Sequence, residues 1–85
     1  MKEFSYTIKD KVGIHARPAG MLAKLAKGFE SDIVIKKGES SVNLEKLIML
    51  MGMGIKCGDT VTVTVSGADE ETAYKAIKEF FETNL

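Results

Sequence analysis

The sequence predicts an α+β fold: an open-faced two-layer β-sandwich in which three helices cover one face of a four-stranded antiparallel sheet. Three observations lead there. Thr60-Val61-Thr62-Val63-Thr64-Val65-Ser66 alternates hydroxyl and valine side chains, the period of a strand with one buried face. Leu22, Leu25, Ala26 and Phe29 fall at helical spacing, as do Ala73, Ala76, Ile77, Phe80 and Phe81. The elements follow the order βαββαβα. Each strand is apolar on one face only, which suits an antiparallel sheet with its other face wet and helices packed on the dry one.

The first strand is read from Phe4, Tyr6 and Ile8, which alternate with Ser5, Thr7 and Lys9. Asp10 to Gly13 is a loop. Pro18 is placed at the first position of a helix, where its missing N–H is not needed, and Gly28 stops that helix. Ile33-Val34-Ile35 forms a second strand. Lys37-Gly38-Glu39-Ser40 turns the chain into a short third strand, Ser41-Val42-Asn43. Leu44 to Gly54 is a methionine-rich apolar helical segment closed by glycines. Gly58-Asp59 opens the fourth strand. The last helix begins at Gly67-Ala68-Asp69-Glu70-Glu71, with Asp69 as cap and acids in the first turn. Glu71 and Lys75, one turn apart, are expected to pair.

A chain of 85 residues is read as one domain, residues 1–85, with a modest core. Twelve acidic and twelve basic residues balance, which lacks the basic footprint of a nucleic-acid binder. No apolar run is long enough to span a bilayer. Met1 to Tyr6 has no signal-peptide core. With one cysteine, Cys57, no internal disulfide can form, which fits a reducing cytosol. Cys57 is expected to be semi-buried before the last strand, with no second cysteine or histidine placed to make a metal or redox site.

The chemistry concentrates in Gly13-Ile14-His15-Ala16-Arg17-Pro18-Ala19, which holds the only histidine and the only proline. A lone histidine is usually an ordinary surface or core residue. Here it precedes a helix start and stands beside Arg17. The exposed N–H groups and partial positive charge of a helix N-terminus attract anions, and a neutral imidazole is a nucleophile. As a plain surface residue, Arg17 would be misplaced by roughly 0.3–1 kcal/mol against the helix dipole. As a phosphate ligand it offers a planar fork of donors. The backbone N–H groups of Ala16 and Arg17 are further donors. Phosphate chemistry on His15 follows as the expectation.

These residues resemble the histidine-containing phosphocarrier family, HPr, of the bacterial sugar phosphotransferase system. The resemblance covers essentially the whole chain. It rests on the His15 segment, Val42-Asn43-Leu44, Met51-Gly52-Met53-Gly54-Ile55 and Gly67-Ala68-Asp69-Glu70. It implies a cytoplasmic, monomeric carrier that takes a phosphoryl group from enzyme I, ultimately from phosphoenolpyruvate, onto Nδ1 of His15. The group then passes to sugar-specific IIA components. The resemblance makes the protein a relay rather than an enzyme, without cofactor or metal of its own, although enzyme I uses magnesium.

Partner docking is expected on two helices. Leu47 to Met51 is wholly apolar, and a helix on a sheet cannot bury every face. Leu50 and Met53 are assigned to the core, and Leu47, Ile48 and Met51 to an exposed, adaptable surface. The resemblance joins this helix to the first one, with Gly20, Lys24 and Lys27 as the basic half facing acidic partners. For Lys24 and Lys27, ordinary solvation explains the charge equally well.

Two positions depart from the family pattern. Many Gram-positive relatives carry, at the position of Lys46, a serine that a kinase phosphorylates to control catabolite repression. Lysine cannot take that mark, so seryl regulation is expected to be absent, and Ser40 and Ser41 do not inherit it. Gly20 stands where relatives carry a larger residue and is expected to loosen the first helix by roughly 0.5–1 kcal/mol. Two alternatives remain open: a regulatory module of this fold that docks a transcription factor or enzyme, and a nitrogen-branch paralogue with other partners.

Overall fold

The computed structural model describes residues 1–85. Its elements are β1 (Lys2–Thr7), α1 (Ala16–Lys27), β2 (Asp32–Lys37), β3 (Ser40–Asn43), α2 (Leu47–Gly52), β4 (Thr60–Ser66) and α3 (Glu70–Asn84). The expected order βαββαβα is observed. The strands form one sheet in the order β1-β4-β2-β3, every pair antiparallel. The last strand in sequence therefore lies in the interior of the sheet, between β1 and β2.

Register follows from the two-residue period. Phe4 pairs with Val63, and Val63 with Ile35, so apolar side chains share one face. Val61, Val63, Val65, Ile33 and Ile35 are essentially inaccessible there. On the opposite face hydroxyls pair directly across the strands, Ser5 with Thr62 at 3.2 Å and Thr7 with Thr60 at 2.8 Å. That wet face explains why β4 alternates threonine with valine.

Leu22 and Ala26 of α1, Leu50 of α2, and Ala73, Ile77 and Phe81 of α3 complete the core. Phe81 meets Phe4 and Tyr6 edge-on at 5.5 and 5.7 Å. Ala76 and Phe80, also assigned to the buried stripe of α3, are only half-buried at its margin.

Four further expectations need correction. Pro18 is the third residue of α1, not the first, because the helix begins at Ala16. The position still suits proline, since the first four helical N–H groups lack intrahelical acceptors. Asp69 is the N-cap residue of α3, but its carboxylate makes no cap bond. It turns away to accept bonds from Glu30 N (2.9 Å), Ser31 N (2.9 Å) and the Ser31 hydroxyl. Glu71 pairs not with Lys75 but with Lys2, at 3.8 Å, because β1 brings Lys2 alongside the start of α3. Cys57 is exposed rather than semi-buried, since the turn between α2 and β4 holds it at the surface.

Candidate functional site

His15 is the N-cap residue of α1. Its backbone is extended, and its carbonyl accepts the first helical bond from Ala19 N at 2.9 Å. The imidazole does not cap the helix. The N–H groups of Ala16 and Arg17 donate to no backbone carbonyl, and no acidic residue lies in the first turn. The positive end of α1 is thus left open beside a nucleophilic ring.

The loop before His15 is held tightly. Gly13 has φ +80°, and a Cβ there would lie 2.4 Å from the Ile55 carbonyl oxygen and 2.6 Å from Lys56 Cα. Only glycine fits this approach. Ile14 N donates to Ile55 O at 3.0 Å, and both isoleucines are buried. The segment behind them is clipped by Asp59, whose carboxylate accepts from Lys37 Nζ and Lys56 N, each at 2.8 Å. The Lys37 hydrogen bond, then that of Lys56, holds the Asp59 carboxyl below its ordinary range.

His15 and Arg17 share an open depression of about 300 Å³ with Asp10, Pro18, Met21 and Asn84. His15 is half-buried and Arg17 exposed, so both can be reached from solvent. The predicted pair is therefore brought together. Met21, one turn below Arg17 on the same helix, escaped the sequence reading although its spacing marks it. Asp10 and Asn84 left no comparable signal. They meet because Lys9 N and Asp10 N both donate to the main-chain oxygen of Leu85, at 2.6 and 2.8 Å, which docks the end of α3 against the loop.

The expected docking residues lie on α1 and α2. Lys27 lines one shallow surface with Lys46, Leu47, Ile48 and Met49. Lys24 lines another with Met21, Leu25 and Phe29. Ile48 is 79% exposed and Met51 40%, as expected for an unpartnered apolar surface. Leu47 departs from its assignment, because it is half-buried and packs on the core. Met49, 59% exposed, takes its place. A Cβ on Gly20 would meet nothing within 4 Å. Lys46 is the exposed N-cap residue of α2, and its carbonyl accepts from Leu50 N at 2.8 Å. No group of three or more histidine, cysteine, aspartate or glutamate side chains is placed to hold a metal. No helix is long and apolar enough to cross a membrane.

A family model described as the phosphotransferase-system HPr component phosphorylation site matches residues 2–83. The chain belongs to the HPr phosphocarrier family. The HPr phosphocarrier protein of Mycoplasma genitalium is 45% identical over 85 residues, covering 99% of this chain and 97% of that one. Among solved structures, a mycoplasma HPr superposes with a TM-score of 0.90 at 44% identity, over 93% of this chain and 90% of its own. HPr from Thermoanaerobacter tengcongensis gives a TM-score of 0.92 at 37% identity, over 98% and 93%. The four-stranded antiparallel sheet with three helices is thus an HPr fold, and the protein is an HPr phosphocarrier of the phosphotransferase system.

Proposed function

We propose that His15 is the phosphoryl acceptor of a relay between enzyme I and sugar-specific IIA components. One observation carries this reading: His15 and Arg17 line one open depression at a helix N-terminus whose first-turn N–H groups have no backbone acceptor. In the transfer, a ring-nitrogen lone pair, at Nδ1 in this reading, attacks phosphorus. The N–P bond forms as the donor–phosphorus bond breaks, and that electron pair leaves with the donor. The Arg17 guanidinium and the N–H groups of Ala16 and Arg17 receive the phosphoryl oxygens. Each charge-assisted hydrogen bond of this kind contributes about 1.5–3 kcal/mol. A fork of donors matters most where negative charge spreads over the moving group.

The carrier is consumed and regenerated by its partners and has no turnover of its own. It acts in the cytoplasm as a monomer. The α1–α2 surface carrying Gly20, Lys24, Lys27, Ile48 and Met51 docks both donor and acceptor, with Leu47 supporting it from below and Met49 adding to it. Adaptable methionines suit a surface that meets several partners. Lys46 excludes regulation by serine phosphorylation at its position.

Incubation with phosphoenolpyruvate, magnesium and catalytic enzyme I should add one acid-labile phosphoryl group by intact mass, and none in His15→Ala. No gain in the wild-type chain with a cognate enzyme I sinks the carrier reading. ATP and the serine kinase should leave the chain unmodified, and a phosphoserine at Ser40 or Ser41 would refute the assignment of Lys46.

A further inference from the structure

The depression that holds His15 contains one cation, Arg17, and one acid, Asp10. Asp10 is fixed by three hydrogen bonds. Its N–H donates to the Leu85 main-chain oxygen at 2.8 Å, its carbonyl accepts from Gly13 N at 3.0 Å, and its Oδ1 accepts from Val12 N at 2.8 Å. Its charge is not neutralised by an ion pair. The molecule's three pairs are Met1 with Glu70, Lys2 with Glu71, and Lys37 with Asp59. The lysines beside it in sequence, Lys9 and Lys11, are exposed. Asn84 of α3, the remaining polar group of the depression, is uncharged.

We propose that Asp10 tunes the transfer potential of the phosphohistidine, as a fixed negative charge opposing the phosphoryl group on His15. This rests on His15 being the acceptor. Arg17, the open N–H groups and the helix dipole all stabilise the loaded state. Each of these favours the loaded carrier over the discharged one. Asp10 acts in the opposite sense. When the carrier discharges, the N–P bond breaks, its electron pair returns to the ring nitrogen, and the phosphoryl group passes to the acceptor's nucleophile or to water. Negative charge then leaves the neighbourhood of Asp10, and the repulsion is relieved. Loading restores it, so Asp10 shifts the equilibrium toward discharge without touching the reacting atoms.

Asp10→Asn keeps an oxygen for Val12 N and removes only the charge, whereas Asp10→Ala removes both. Each chain is loaded with enzyme I and phosphoenolpyruvate, separated from enzyme I, and followed by intact mass. The half-life of the phosphorylated Asp10→Asn chain should lengthen roughly three- to tenfold at low ionic strength. The loaded fraction at a set phosphoenolpyruvate-to-pyruvate ratio should rise in parallel. The difference should shrink in about 1 M salt, where screening is strong, and Asp10→Ala should match Asp10→Asn. If Asp10→Asn behaves as wild type and only Asp10→Ala differs, Asp10 serves the loop alone and the proposal is overturned. A gain in half-life that salt leaves unchanged overturns it too. A wild-type chain that takes up no phosphoryl group removes the acceptor, and with it both readings. Wild type that loads, with equal half-lives throughout, overturns the role of Asp10 alone.

Discussion

Helices α1 and α3 each begin shortly after a glycine pressed against distant backbone, yet their first turns carry opposite charge. Gly13 abuts Ile55 and Lys56 ahead of α1, and Gly67, at φ +154°, abuts Ser31 ahead of α3, where a Cβ would lie 2.7 Å from Ser31 Cα. The start of α3 is closed. Glu70 and Glu71 complement its dipole, and Asp69 binds Glu30 and Ser31. Glu70 further accepts from Gly67 N and pairs with the N-terminal ammonium at 2.9 Å, so its carboxyl titrates below its ordinary range. The start of α1 is open, with no acid in its first turn and an arginine there instead. One terminus uses its charges to tie the fold together. The other leaves its first N–H donors without a backbone acceptor.

This contrast can be broken experimentally, beginning with the largest effect. His15→Ala should abolish phosphoryl uptake while changing stability by no more than about 0.5 kcal/mol, because the half-buried ring makes no cap bond. Intact mass and urea denaturation read the two quantities separately. A large stability loss would mean that the open terminus is structural after all. Arg17→Ala should slow phosphoryl transfer roughly 100-fold, with Arg17→Lys recovering only part of it, since an ammonium keeps the charge but not the fork. Rapid-quench transfer from phosphorylated enzyme I measures both.

Gly13→Ala should destabilise the fold by roughly 2–4 kcal/mol, as the added Cβ meets rigid backbone at a positive φ. A midpoint equal to that of wild type in denaturant would show that the loop simply moves aside. Asp69 tests the closed terminus. The Ser31 hydroxyl, then Glu30 N, lowers its folded-state pKa from the ordinary 3.8. Its stabilisation is therefore complete above that value and lost as pH falls through the lower folded value. Asp69→Asn should melt below wild type at neutral pH, with the gap closing under about pH 4. A gap independent of pH argues against the carboxylate. The smallest effect is expected from Gly20→Ala, a gain of about 0.5–1 kcal/mol, because the new methyl group replaces a flexible helical glycine and meets only open space.

Much of this was legible in the chain. The hydroxyl–valine alternation of β4, the leucine and alanine spacing of α1 and the turn at Gly38 are local patterns, and each corresponds to an observed element. His15 with Arg17 was legible because a histidine, an arginine and a proline at a helix start combine residue types that only a few chemistries need together. Less legible were features made by distant residues. The cap bond expected from Asp69 was wrong because Glu30 and Ser31, far away in sequence, together offer its carboxylate three donors. Glu71 was assigned to Lys75 on its own helix because Lys2 is remote until the sheet forms. Leu47 was assigned to the exposed surface, where Met49 lies instead, because the five apolar residues Leu47 to Met51 carry no periodicity to orient the helix.

The sequence by itself determined the α+β class, the order of elements, the apolar faces and the pairing of His15 with Arg17 at a helix start, since hydrophobic period and residue chemistry act over short spans. Only the tertiary structure decided that α3 ends against the loop before His15, that Asp10 and Asn84 share its depression, and which face of α2 meets solvent. Those outcomes depend on long-range packing, in which the same short pattern takes a different partner according to what the rest of the chain brings beside it.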